Sequence, residues 1–166
     1  MTKTWVIADT HFGHENICLF KRDDGTPLRS FSSAKEMDEK IIGNWNSVVK
    51  NEDRVYVLGD LCMARRHIAT IARCAGRKIL IKGNHDVFKL EEYTPYFDDI
   101  RAYSILGRTL LLSHIPVHSE SIGRWKMNVH GHTHDRSLKD SRYRCVSVEQ
   151  TNYYPIDLDT ILKEIK

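Results

Sequence analysis

The segment Asn128-Val129-His130-Gly131-His132-Thr133-His134 sets three imidazoles within five residues, directly after a short apolar run. On an extended backbone alternate side chains share a face, so His130, His132 and His134 can lie on one side. A sharp turn at Gly131 instead lets the first two rings approach one point from different directions. Four other segments carry matching chemistry: Asp9 with His11, Asp60, Asn84 with His85, and His114. Together with His130 and His132 this inventory mixes carboxylate, carboxamide oxygen and imidazole, which fits hard to borderline divalent ions such as manganese, iron, zinc or nickel. It exceeds what one ion needs. Two metals at the ~3.5–4 Å spacing of binuclear hydrolases are therefore expected, with Asp60 able to bridge them through its two oxygens.

The elements that must deliver these groups are legible as apolar runs. Thr4–Ala8, Val55–Leu58 and Lys78–Lys82 are short and uniformly apolar, as strands covered on both faces should be. Further runs span Ile100–Ile105, Thr109–Leu112, Met127–Val129 and Arg144–Glu149. Ser33 can cap a helix over Ala34–Lys50, with Met37, Ile41, Ile42 and Trp45 on its apolar side. A second helix is predicted over Ala64–Cys74, ending near Gly76. A third closes the chain, with Asp157 or Asp159 near its start and Lys163 near its end. The order is strand–helix–strand–helix–strand and then mostly strands, which predicts parallel crossovers followed by antiparallel pairing. Asp9, Asp60, Asn84 and His114 each follow a predicted strand, and ligands in open α/β sheets collect outside the carboxyl ends of strands.

Bulk properties narrow the class. The 166 residues fit a single domain, 1–166, with 41% hydrophobic and 28% charged residues, an ordinary globular composition. No apolar run approaches the roughly 18 residues needed to cross a bilayer. The net charge of +3 is mild, and no recognition motif or strong basic stripe supports nucleic-acid binding. The four cysteines are scattered with no Cys-x-x-Cys pair, which argues against a zinc knuckle or a disulfide framework. The start reads as a strand rather than a signal peptide, so a reducing cytoplasm is the expected location.

Asp9-Thr10-His11, Gly59-Asp60, Gly83-Asn84-His85-Asp86, Ser113-His114 and Gly131-His132-Thr133-His134, in this order, resemble the signature of the calcineurin-like metallophosphoesterases. Gly-Asn-His-Asp after a strand is the specific part. The start from Asp9 to Ile17, and the tail Val146-Ser147-Val148-Glu149 to Pro155-Ile156-Asp157-Leu158, further resemble a small bacterial and phage branch of that family. The resemblance implies an α/β fold, a four-layer α-β-β-α sandwich of two mixed sheets with the metals at the strand ends. It makes Asp9, His11 and His132 ligands of the first metal and Asp60 the bridge. Asn84, His114 and His130 would hold the second metal, and His85 would face the leaving group as general acid.

The cofactors so implied are two divalent ions, manganese foremost, with iron, zinc or nickel as alternatives. The implied activity is hydrolysis of a phosphodiester, small or nucleotide-like, by a hydroxide that the metals activate. A phosphomonoesterase is the close alternative, and a non-catalytic scaffold of the same fold a third. Around this set, His14 is expected to reach substrate phosphate or brace a ligand. His134 would bind outgoing phosphate or hydrogen-bond a ligand, and Asp86 would orient His85. Protein phosphatases of the superfamily carry Gly-Asp-x-Val-Asp-Arg-Gly where this chain reads Gly59-Asp60-Leu61-Cys62-Met63-Ala64-Arg65. The aspartate that orients the histidine in those enzymes is missing, which disfavours that subclass.

Overall fold

A computed structural model describes residues 2–165. Strands β1 (Thr4–Ile7), β2 (Arg54–Val57), β3 (Arg77–Ile81) and β4 (Asp99–Arg101) pair in parallel in the order β4-β3-β2-β1. A second sheet follows in chain order, from β5 (Tyr103–Leu106) through β6 (Leu110–Ser113) and β7 (Met127–His130) to β8 (Tyr143–Cys145). Here only β5 and β6 are antiparallel. Strands β6, β7 and β8 are parallel, against the antiparallel pairing expected of this half, because the long connections through residues 114–126 and 131–142 return the chain to the same end of the sheet. The last strand, β9 (Ile156–Asp157), returns to the first sheet, antiparallel to β1. Both sheets are mixed, as expected.

Strand alternation sorts the apolar residues into two cores. Trp5, Ile7, Val55, Val57 and Leu80 pack on one side of the first sheet against Met37, Ile41 and Trp45 of helix α1 (Ala34–Val48). Val6, Tyr56, Leu58, Ile79 and Ile81 point the other way and meet Leu110, Leu112, Met127 and Val129 of the second sheet. Ser33 caps α1 by accepting from the Glu36 amide, and Trp45 Nε1 ties the helix to the carbonyl of Ala75 at 2.9 Å. The short helix α2 (Leu90–Tyr93) adds Tyr93 to the first core. Beyond β6 lie the single-turn α3 (Ser119–Ile122) and the segment running to Trp125. Helix α4 (Leu158–Glu164) closes the inter-sheet core with Leu158 and Ile161.

Three elements depart from the sequence-based expectation. The predicted strand Ile100–Ile105 is two strands, one in each sheet, with Ala102 between them. The predicted helix Ala64–Cys74 is a 3-10 helix over Arg65–Arg73. Its buried residues Ile68 and Ile71 are three apart and so share one face of a threefold helix. The predicted strand Arg144–Glu149 stops at Cys145, and the chain turns into a 3-10 helix at Val148–Gln150. Among the described residues, no helix is long and apolar enough to cross a membrane.

Trp45 is fully buried in the α1 core, so Trp45→Ala removes both packing and the bond to Ala75. A loss of about 3–5 kcal/mol is expected in urea unfolding. A loss below about 1 kcal/mol would mean that α1 is not anchored through this side chain.

Candidate metal centre

The parallel strands end on one edge of the molecule, and each hands over to a loop bearing a polar group. Asp9 and His11 follow β1, Asp60 follows β2, Asn84 and His85 follow β3, His114 follows β6, and His132 and His134 follow β7. The loops are laced together by their backbones. The amides of Asp9, His11 and Phe12 donate to the carbonyls of Gly59, Asp60 and Leu61 at 3.1, 3.1 and 2.8 Å. Gly83 and Gly131 let the loops close up, because a Cβ at either would strike the carboxylate of Asp60 or of Asp9 respectively.

This closeness is bought with backbone strain. Asp9, His11, Asp60, His132 and His134 have φ of 58°, 49°, 53°, 68° and 51°. Only Asn152 and Tyr153 join them among the described non-glycine residues in the left-handed region. Each such residue costs on the order of 1 kcal/mol or more, and persists where surrounding bonds over-determine it.

The side chains form two groups, each with its donor atoms within 4.8 Å of one another: Asp9, His11 and His134, and Asp60, His114 and His132. Asp60 lies between them. Its Oδ2 is 3.7 Å from His11 Nε2 and 3.4 Å from His114 Nε2, while its Oδ1 accepts from the His85 amide at 2.9 Å. Asn84 joins the second group, with Oδ1 2.9 Å from His114 Nε2. The His11 and His134 rings stack with centroids 5.3 Å apart.

The histidines that cluster with the carboxylates differ from the expected set by two residues along the chain. His134, not His132, completes the group of Asp9 and His11, and His132 takes the place expected of His130. The cause is strand alternation. Val129 points between the sheets, so His130, the last residue of β7, points to the opposite face. There its Nδ1 meets the Gly131 carbonyl at 2.7 Å and its ring lies edge-on to Tyr143. The next residues turn in left-handed geometry and swing His132 and His134 into the site.

Other expected residues find varied places. His85 stands at the open side, its side chain 44% exposed and Nε2 4.0 Å from Asp60 Oδ2. His14 lies beside His11, ring centroids 5.6 Å apart, half-buried. Asp86 does not orient His85. Its buried carboxylate accepts from the amides of Asp60, Leu61 and Gly83 at 2.8, 3.0 and 2.8 Å, which pins the two ligand loops together.

Three residues escaped the sequence reading. Arg29 is fully buried and donates to the carbonyls of Asp9 and Thr10 at 2.6 and 3.0 Å, and to Glu149 at 2.7 Å. Glu149 in turn holds His134 Nδ1 at 2.9 Å. A carboxylate on the far nitrogen fixes the tautomer and aim of a metal-binding ring. Burial opposes ionisation of Glu149, but Arg29 and His134 outweigh it and hold its carboxyl at about 2. Ser147 adds a further bond, donating to Asp9 Oδ2 at 2.6 Å. The Val-Ser-Val-Glu tail carried the only sequence signal for Ser147 and Glu149; Arg29 had none.

The donor set fits divalent cations on two observations. Both nitrogens of buried His11 lack a hydrogen-bond partner, an arrangement that is costly unless something takes the lone pair. His114 Nδ1 is engaged by the Leu58 carbonyl at 2.7 Å, so a neutral ring turns its Nε2 lone pair toward Asn84 Oδ1 and Asp60 Oδ2. Three acceptors converging there need positive charge among them. Without an ion a second proton on His114 supplies it: burial opposes that charge, but the Asp60 hydrogen bond and the Asp9 and Asp60 charges raise its pKa. Burial likewise raises Asp9 to about 6, against the pull of His134 and His114. Asp60 is held at about 2, because His114, the His85 amide and His11 overcome its burial.

The chain is similar to known proteins over most of its length. A family model described as the calcineurin-like phosphoesterase superfamily domain matches residues 3–149. An uncharacterized protein of Methanocaldococcus jannaschii, MJ1445, is 33% identical over 177 positions, covering 100% of this chain and 93% of its own. The Gene 66 protein of Mycobacterium phage L5 is 28% identical, over 81% of this chain and 78% of its own. A solved structure, the protein of unknown function AQ665 from Aquifex aeolicus, superposes with a TM-score of 0.80 at 30% identity. It covers 99% of this chain and 100% of its own.

Two outcomes follow from the electrostatics. Glu149→Gln leaves the buried Arg29 without its counter-charge, and the metal-free protein should lose about 3–5 kcal/mol in chemical unfolding. An unchanged midpoint would show that the pair does not brace the site. Protons also compete with metal: Asp9 and His114 have raised pKa values and must be deprotonated to bind an ion. Manganese affinity by calorimetry should fall roughly tenfold or more as pH drops from about 7.5 to about 5.5. A flat profile would exclude these groups as ligands.

Proposed function

This chain belongs to the calcineurin-like phosphoesterase superfamily, and from that premise we propose that it is a metal-dependent phosphoesterase acting on phosphodiesters. The observation that carries this reading is Asp60, whose one carboxylate oxygen lies within 4 Å of imidazoles from both donor groups. Asp9, His11 and His134 would hold one divalent ion, and His114, His132 and Asn84 the other, with Asp60 shared between them. Bound ions would polarise the phosphoryl oxygens and supply a hydroxide nucleophile near neutral pH.

The chain's own groups complete the chemistry. The amide of His85 steadies Asp60 Oδ1, so the backbone of this residue fixes the bridge while its ring remains free. That ring stands on the open side, close enough to Asp60 to face whatever the metal groups hold. Charge grows on the departing oxygen as the ester bond breaks, and a proton delivered there by the His85 imidazolium lowers the barrier. Substrate approaches from the side of His132, His85 and Asn84, which are exposed, whereas Asp9 and His11 lie beneath.

The surroundings favour a diester. A monoester dianion needs additional positive donors, yet the nearby arginines are engaged: Arg22 pairs with Asp135 at 3.2 Å and Arg136 with Asp23 at 3.3 Å. One feature favours the monoester as a second reading, since His14 Nδ1 has no partner and lies beside His11. The four cysteines are free, which accords with a reducing, cytoplasmic setting.

The test is hydrolysis by manganese-loaded protein of bis-p-nitrophenyl phosphate against p-nitrophenyl phosphate. The diester should be cleaved faster. His85→Ala should keep its metal content and lose about 10²–10⁴ in turnover, most on esters with poor leaving groups. Undiminished turnover on such an ester would remove His85 from the acid role, and hydrolysis of neither compound would overturn the enzymatic reading.

A further inference from the structure

A cavity of about 560 Å³ opens directly beside the second donor group. Its walls come from the end of β3, the start of β5, the length of β6, and the segment through α3 to Trp125. Two wall residues, Asn84 and His114, are also members of that donor group. A phosphate held at the metal groups therefore sits at the mouth of this cavity. The volume lies in the range of sites that take small organic molecules.

The character of the walls is specific. Leu111 and Val117 present aliphatic surface, and Tyr103 and Trp125 present rings. Tyr103 is 58% exposed and Ile115, also in the wall, 50%. Large apolar side chains left bare beside a candidate site mark a surface that expects a ligand. The hydroxyl of Ser113 is already committed, donating to the Ile115 carbonyl at 2.8 Å and accepting from Asn128 Nδ2 at 2.9 Å. A sugar or peptide would find few partners here. A flat ring with a few polar edges finds aromatic surface to stack on, with Lys82 and Ser121 at the wall for its edges.

We propose that this cavity receives the ester substituent of the substrate, an aromatic group of nucleobase or aryl size carried on the phosphate. The proposal rests on the phosphoesterase reading for the position of the phosphate, and it adds what the phosphate must be attached to. Aromatic stacking of a base contributes enough for a difference of about tenfold or more in binding.

The test compares two competitors of equal phosphate charge, AMP and ribose 5-phosphate, in the manganese-loaded protein. AMP should inhibit bis-p-nitrophenyl phosphate hydrolysis at a concentration about tenfold lower or better. That ratio should fall to about one in Trp125→Ala, and also in Ser121→Tyr, which fills the cavity from its exposed rim without removing a core side chain. Tryptophan fluorescence gives a reading that needs no turnover. Trp5 and Trp45 are buried and Trp125 is the remaining tryptophan, so quenching by AMP and not by ribose 5-phosphate reports cavity occupancy. If no ester is cleaved while AMP still quenches, the catalytic reading fails and the cavity assignment stands. Equal binding of the two competitors, a preference that survives both substitutions, or tighter binding of decyl phosphate than of AMP would overturn the proposal.

Discussion

Lone pairs converging on a small volume repel one another unless positive charge lies among them. That repulsion is the constraint the rest of this fold is built to resist. Carboxylates, imidazoles and a carboxamide oxygen from five loops face inward at one edge of the sandwich. Parallel strands bring them there, since β1, β2 and β3 in one sheet and β6 and β7 in the other end on the same side. Left-handed backbone at five of the donors then turns them toward each other. Two buried charged groups keep the turns in place from behind. Asp86 collects three amides of the Asp60 and Gly83 loops, and Arg29 collects the carbonyls of Asp9 and Thr10. Neither brace points into the site. Each satisfies backbone groups that a strained loop would otherwise leave unpaired.

The donor inventory was legible in the sequence because each member follows an apolar β-branched run, and such runs are reliable markers of buried parallel strands. The choice among His130, His132 and His134 was not legible. It depends on which residue ends β7 and on two left-handed turns, and neither leaves a compositional mark when the turning residues are histidines. The split of the Ile100–Ile105 run escaped for a similar reason: the chain leaves one sheet and enters the next at Ala102, with no glycine, proline or other turn residue to mark the break. Arg29 was invisible because its partners are backbone carbonyls and a glutamate 120 residues away. Long-range bonds to main-chain atoms have no sequence period.

The two donor groups are unequal in exposure. Asp9 and His11 are buried, and His134 is tied to the Arg29–Glu149 pair. On the other side His132 and Asn84 are exposed, and the cavity walled by Tyr103 and Trp125 opens next to them. One half of the site is thus tied into the fold from behind, and the other is open to solvent. His85 belongs to the exposed half. Both sheets contribute to each half: His134 follows β7 but joins Asp9 and His11 beneath, while Asn84 and His85 follow β3 but stand on the open side.

The most direct test of paired cation binding is an anomalous difference map from crystals of this protein soaked in manganese. Two neighbouring peaks are expected, one among Asp9, His11 and His134 and one among Asp60, Asn84, His114 and His132, with Asp60 touching both and His130 touching neither. A single peak, a peak on His130 Nε2, or no ordered manganese at this edge would contradict it.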